Sequence, residues 1–112
     1  MTQAAVVLRD ERRVALVRRV RDGHTYFVFP GGGVRRGEQP ADAALREARD
    51  LGVEVLLGPR LLIEELRGET SHYYSAVVVG GEFATEPVWM ELEELLNYDV
   101  RPRALAAILT GG

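Results

Sequence analysis

Four charged residues near the middle of the chain have the types and spacing of a metal or phosphate site. Glu47 and Asp50 are three residues apart, so on a helix their carboxylates project from one face and can share a divalent cation. A solvated acidic helix face has the same spacing and needs no ligand. Arg46 follows Glu38 by eight residues, and the two can form either an ordinary surface ion pair or part of the same site.

A glycine-rich segment, residues 29–33 (FPGGG), precedes this charged group. Clustered glycines permit close approach of a ligand to the main chain, and a loop that leads into a helix offers free N–H groups to an anion. Two common phosphate-binding motifs are excluded. The Walker motif fails because Glu38 stands where a lysine is required, and the dinucleotide fingerprint fails because Arg36 stands where its third glycine is required.

The joint spacing of these residues resembles the Nudix hydrolase (MutT-like) family, whose box runs G-x5-E-x7-R-E-U-x-E-E-x-G-U, where U is a bulky aliphatic residue. Gly32, Glu38 and the pair Arg46-Glu47 match that spacing without a gap, and Gly52-Val53 closes the box. Residues 87–96 (PVWMELEELL) resemble the strand and helix that end many members of the family. The resemblance covers nearly the whole chain.

The box of this chain is one residue short. Four residues, Ala48-Arg49-Asp50-Leu51, precede the closing glycine, where the family has five that include a Glu-Glu pair. Glu47 matches the first metal-binding carboxylate and Asp50 the second, whereas the third is absent and the helical phase puts Leu51 in its place. Asp is shorter than Glu by one methylene group and Mg²⁺ requires near-ideal ligand distances, so a weakened metal affinity is expected.

The resemblance implies a Mg²⁺ or Mn²⁺ ion held by Glu47, Asp50 and the backbone carbonyl of Gly32. Arg46 would orient Glu47, and Glu38 would stabilise the junction of loop and helix by pairing with Arg46. The implied activity is the hydrolysis of a nucleoside diphosphate linked to another moiety, with water attacking a phosphorus whose charge the cation neutralises. The missing carboxylate favours an alternative, a catalytically impaired Nudix-fold domain that binds a nucleotide or a protein partner without hydrolysis.

Several further residues are candidates on weaker grounds. Arg35 and Arg36 flank the glycine segment and either contact a substrate phosphate or lie in a solvated turn. A later loop could supply an extra ligand or base, and the acids available are Glu64, Glu65, Glu82 and Glu86, the last also a candidate for substrate binding. A base-stacking wall could use one or two of the strand aromatics, which are Tyr26, Phe27, Tyr73, Tyr74 and Trp89, although such residues more often belong to a core. His24 and His72 are isolated and receive no role.

The elements that must position these residues are strands, one helix, further strands and a terminal helix. The clearest helix runs from Gln39 to Leu51, with Pro40 at its first position and Gly52 after its end. Strands are predicted at residues 4–9, 13–20, 25–29, 53–57, 60–66, 72–79 and 88–90, with a break at Gly58-Pro59, and helical segments at 92–98 and 103–109. This order predicts a single α+β or mixed α/β domain over residues 1–112, in which a Nudix-like mixed sheet lies between the box helix and the C-terminal helix.

The amino-acid composition limits the kinds of site, partner and location that are possible for this protein. The chain has 112 residues, no cysteine and a net charge of −3, which excludes disulfides and thiolate metal sites and argues against stable nucleic-acid binding. All 14 basic residues are arginine, through either GC-rich codons or selection for bidentate phosphate contacts. No apolar run reaches the roughly 18 residues of a membrane span, and no basic segment precedes the first apolar run, so a cytoplasmic protein is expected. Exposed strand edges leave homodimerisation open.

Overall fold

The computed structural model describes residues 1–111, which form strands, two α-helices and one 3₁₀ helix. The strands are β1 (Thr2–Asp10), β2 (Arg13–Arg21), β3 (His24–Val28), β4 (Gly31–Gly33), β5 (Val53–Leu66), β6 (Glu69–Gly81), β7 (Val88–Glu91) and β8 (Val100–Arg101). The helices are α1 (Pro40–Asp50), the 3₁₀ helix (Leu92–Asn97) and α2 (Arg103–Leu109). None of the helices within residues 1–111 has the length and apolar character needed to cross a membrane.

The strands form one mixed sheet in the order β5-β6-β1-β2-β3-β8, with β4 paired to β1 and β7 paired to β2. β1 runs parallel to β6 and antiparallel to β2 and β4. Its residues 4–8 are all apolar and all buried. The apolar run of β1 therefore forms the centre of the sheet and supports the glycine strand β4.

Two helices cover opposite faces of this sheet, because alternate residues of β1 point to opposite sides. Ala4, Val6 and Leu8 belong to a cluster that contains the buried alanines of α1. Ala5 and Val7 belong to a second cluster, which contains Leu105 of α2 and Leu95 of the 3₁₀ helix. The prediction of a mixed sheet between the box helix and the C-terminal helix is confirmed.

The end of α1 is fixed by glycine. Gly52 has a φ of +101°, which favours a residue without a side chain, and a Cβ there would collide with the carbonyl oxygen of Glu82. Gly81 faces it, and a Cβ at position 81 would collide with the carbonyl oxygen of Gly52. The N–H of Glu82 donates to the Gly52 oxygen at 3.0 Å, and the N–H of Ala84 donates to the Leu51 oxygen at 2.8 Å. The helix end and the segment after β6 are thus joined by main-chain bonds.

Two local predictions were wrong, and one short strand was missed. The predicted break at Gly58-Pro59 lies inside the single strand β5, because the irregular register with β6 between Leu57 and Leu62 accommodates a proline that has no N–H to donate. The three glycines of residues 31–33 were predicted as a loop, yet they pair with β1 as β4. β8 was not predicted at all, since it consists of two residues that are held as a strand by pairing with β3.

Candidate active site

Strand β4 and helix α1 meet where the glycine segment faces the charged residues of the helix. Gly32 is paired with Ala4 of β1, and a Cβ at position 32 would lie only 2.7 Å from Oε1 and 2.9 Å from Oε2 of Glu47. No other residue type leaves space for this contact. Glycine at position 32 therefore allows the carboxylate of Glu47 to rest against the backbone of β4.

Arg46 is the centre of the hydrogen-bond network at this junction. Its Nε and Nη2 donate to the two carboxylate oxygens of Glu38, both at 3.0 Å, and its Nη1 donates to Oε2 of Glu47 at 2.7 Å. Nη2 also donates to the carbonyl oxygen of Gly33 at 2.9 Å. The three charged side chains are only 14–19% exposed. Within residues 1–111, Oε1 of Glu47 receives no hydrogen bond, so this oxygen is available to a ligand.

The network keeps its charges over a wide pH range. Hydrogen bonds from Arg46 lower the pKa of Glu38 to about 2, and the backbone N–H of Arg35, at 3.0 Å from Oε1, lowers it further. The same pairing with Glu38 raises the pKa of Arg46 above its usual value. Both groups are therefore charged throughout the neutral range, and the orientation that they impose on Glu47 does not depend on pH there.

Asp50 lies further along the same helix and is more exposed. Its side chain is 64% exposed, and its Oδ2 lies 3.9 Å from Nη1 of Arg46, so both candidate metal ligands approach the same guanidinium group. Leu51 packs against the core cluster on the α1 side of the sheet. In the part of the chain that the structure describes, no group of three or more His, Asp or Glu side chains is placed to hold a metal.

The donor set fits one loosely held divalent cation. Mg²⁺ in proteins is often bound by one or two carboxylates and takes its other ligands from water and substrate phosphates. Glu47, with one free oxygen against Gly32, and the exposed Asp50 suit that mode. They do not make a closed protein site, because within residues 1–111 no third acidic or histidine side chain is placed to join them.

A cavity of about 500 Å³ opens beside the glycine strand. Its wall includes Gly31 and Gly32, the aromatic side chains of Phe29 and Tyr73, and three arginines. Glu64 is the one acid in the wall and is half-buried. Gly32 is shared by the cavity and by the contact with Glu47, but neither Glu47 nor Asp50 is among the described residues of the wall. Phe29 belongs to the core cluster on the α2 side of the sheet, and Tyr73 packs against it.

The other predicted site residues lie apart from this cavity. Arg35 and Arg36 are exposed and do not line it. Glu86 accepts a hydrogen bond from Nε1 of Trp89 at 2.9 Å and lines a second, mostly apolar cavity together with Leu51. Glu65 and Glu82 are exposed. Of the four acids considered as an extra ligand or base, only Glu64 faces the cavity beside the glycines.

A cluster around Arg101 was missed by sequence reasoning. Asp99 accepts hydrogen bonds from Nε and Nη2 of Arg101 at 3.1 and 3.0 Å and lies 2.7 Å from Nε2 of His24. These partners, Arg101 first, lower the pKa of Asp99 to about 2. The guanidinium group of Arg101 lies 4.1 Å from the centre of the Tyr26 ring. No local signal could have found this cluster, because β3 and β8 are far apart in sequence.

Comparison with known proteins identifies the protein family to which this chain belongs. A family model for the NUDIX domain matches residues 1–109, so the chain belongs to this family, as its sequence resemblance predicted. No curated protein matches the chain.

Many solved structures share the fold. The Escherichia coli ORF135 protein is 22% identical, with a TM-score of 0.70, and the match covers 97% of this chain and 85% of that one. A NUDIX hydrolase from Nitrosomonas europaea is 20% identical, with a TM-score of 0.75 and coverage of 96% and 84%. An ADP-ribose pyrophosphatase from Streptococcus suis is 19% identical, with a TM-score of 0.72 and coverage of 98% and 90%. At these identities the likeness is one of fold.

Proposed function

We propose that this chain is a divalent-metal-dependent hydrolase that cleaves the phosphoanhydride of a nucleoside diphosphate linked to another moiety. The observation that carries the proposal is the carboxylate of Glu47, which Arg46 holds against the backbone of Gly32 with one oxygen free of hydrogen bonds from the described residues. Membership of the NUDIX domain family supports it. A fold neighbour named as an ADP-ribose pyrophosphatase is consistent with this substrate class.

The residues of the chain have distinct roles in this proposal. Mg²⁺ or Mn²⁺, held by Glu47, Asp50 and the Gly32 carbonyl, would neutralise phosphate charge and acidify a bound water. Arg46 orients Glu47 through the bond to Oε2, and Glu38 holds Arg46 in place. Because Glu38 remains ionised far below neutral pH, this orientation is maintained without a proton transfer. Ligand orientation of this kind commonly affects metal affinity and activity by 10–100-fold.

A second function is favoured by a specific observation. Only two of the three metal-binding carboxylates that the family resemblance implies are matched, Asp50 is largely exposed, and Leu51 packs against the core. These features suit a Nudix-fold domain that binds a nucleotide without hydrolysing it. A cytoplasmic location and a homodimeric state remain predictions from the sequence.

Product release separates the two functions. Wild-type protein and the Glu47→Gln variant are incubated with a panel of nucleoside diphosphate derivatives in Mg²⁺ or Mn²⁺, and phosphate-containing products are measured. We expect metal-dependent release by the wild type and a loss of at least about 10²-fold in the variant. Asp42→Asn is the matched control, because Asp42 is an exposed acid on the same helix and should leave activity unchanged. Absence of release on every substrate, combined with metal-independent nucleotide binding, would establish the second function.

A further inference from the structure

We infer that the substrate carries a second anionic group besides its diphosphate, and that Arg19, Arg101 and Arg103 bind this group in the cavity beside the glycine strand. The inference rests on the proposed function, which assigns the diphosphate to Gly32 and Glu47. It goes further because it assigns to the substrate a further group beyond the diphosphate, namely a phosphate monoester or a similar compact anion.

The first argument is the charge of the cavity wall. Among the described residues of its wall are three arginines and one acid, Glu64, and one of the arginines, Arg101, is ion-paired with Asp99. His72 also lies in the wall, but burial lowers its pKa, and Arg60 lowers it further, so His72 is neutral at physiological pH. The whole chain has a net charge of −3. The positive wall is therefore a local feature and does not follow from the overall composition.

The second argument is the exposure and the hydrogen-bond partners of the three guanidinium groups. Arg19 and Arg103 are exposed to the cavity, and within residues 1–111 neither forms an ion pair or a side-chain hydrogen bond. Arg101 is held in place by Asp99 through Nε and Nη2 and by the ring of Tyr26, which leaves Nη1 free. Arg101 is therefore fixed in place but shares its charge with Asp99, whereas, among the described residues, Arg19 and Arg103 keep unpaired guanidinium groups of the kind that recognise phosphate.

The third argument is the separation of the arginines from the glycine strand. Arg101 pairs with Val28 of β3, which ends three residues before Gly31, and the chain bends at Pro30 between β3 and β4. Arg19 pairs with Tyr26, two residues further from Gly31. The three arginines line the cavity, and neither Glu47 nor Asp50 is among its described lining residues, so a diphosphate held at Gly32 and Glu47 leaves these arginines to another part of the same ligand.

Matched probes that differ by one phosphate test the inference. The first pair is ADP-ribose and its 2′-phosphate, and the second is dephospho-coenzyme A and coenzyme A. The added phosphate is therefore on the 2′-hydroxyl of the adenosine ribose in the first pair and on its 3′-hydroxyl in the second. Binding to the full-length Glu47→Gln variant with Mg²⁺ is measured by calorimetry, which does not depend on turnover. In at least one pair, we expect the added phosphate to tighten binding by at least about tenfold. Arg19→Gln or Arg103→Gln, added to that background, should remove most of this preference.

The same calorimetric measurement of binding preference supplies a control variant and the results that would overturn the inference. Arg9→Gln makes the same charge change on an exposed residue outside the cavity, and it should leave the preference unchanged. The inference is overturned if neither pair shows a preference, or if the arginine variants weaken both members of a pair equally, because the arginines would then serve the shared diphosphate. Failure of the proposed function is distinct, since wild-type protein would then hydrolyse no substrate while the binding preference is still measurable.

Discussion

Replacing Gly32 by alanine should displace the carboxylate that the site holds against its backbone. The new Cβ would lie 2.7 Å from Oε1 and 2.9 Å from Oε2 of Glu47, whereas ordinary van der Waals contact begins at 3.4 Å. The carboxylate must therefore move by about 0.7 Å. That movement stretches or breaks the 2.7 Å bond from Arg46 and withdraws the free oxygen from its position.

The size of the effect follows from this displacement. Misplacement of a catalytic group by about 1 Å can reduce a rate by 10²-fold, which corresponds to about 2.7 kcal/mol of transition-state stabilisation. We expect kcat/KM to fall by about 10²-fold in Gly32→Ala. Stability should change much less, because the colliding atoms end a flexible side chain that can move. A loss of about 1 kcal/mol, or about 4 °C in Tm, is expected.

The assay compares Gly32→Ala with Gly33→Ala. A Cβ at position 33 meets no heavy atom within 4 Å, so alanine there adds the same methyl group without displacing Glu47. For both variants, kcat/KM is measured across a Mg²⁺ titration, Mn²⁺ affinity by electron paramagnetic resonance, and Tm by thermal denaturation. The reasoning is refuted if Gly32→Ala retains wild-type kcat/KM and metal affinity, or if Gly33→Ala is impaired to the same extent.

Three further predictions concern stability. Gly52→Ala should cost at least about 3 kcal/mol in urea denaturation, because it combines a positive φ with a collision against the Glu82 backbone, whereas Gly23→Ala, with a positive φ and open space, should cost about 1 kcal/mol. Glu38 has its pKa lowered from 4.5 to about 2, so its contribution is complete above the unfolded pKa and is lost as the pH falls towards 2. Urea titrations between pH 2 and 6 should therefore show the stability gap between wild type and Glu38→Gln narrowing at low pH, and a constant gap would contradict this account. Leu105→Ala should cost about 2–5 kcal/mol by calorimetry, since the side chain of Leu105 in α2 is fully buried.

The box helix was predictable because its signals are local. Pro40 at the first position and Gly52 after the end lie within thirteen consecutive residues, and helix geometry alone places Glu47 and Asp50 near each other. The contact between Glu38 and Arg46 joins residues only eight apart. The spacing of the family motif was therefore sufficient to predict that these four charged residues lie close together.

Features that depend on long-range pairing could not be predicted. Local turn signals at Gly58-Pro59 suggested two strands, but pairing with β6 makes one, so tertiary context outweighed the local preference. His24 and Asp99 are 75 residues apart, and they meet only because β3 pairs with β8. The arginine wall of the cavity likewise draws on two distant segments, so arginine content alone gave no indication of where the positive charge would gather.

The paired glycines at the end of α1 have a consequence for how this molecule can change over evolution. Gly52 and Gly81 pack backbone to backbone, and the bonds that continue from them to Glu82 and Ala84 use only main-chain atoms. Side chains in the following segment can therefore be exchanged without altering those bonds, and Glu86, in the wall of the apolar cavity, is among the residues that are free to vary. We expect related sequences to diversify that cavity through residues 82–86 while retaining both glycines. On this expectation, the main-chain bonds between α1 and the segment after β6 stay the same while the side chains that line the apolar cavity change.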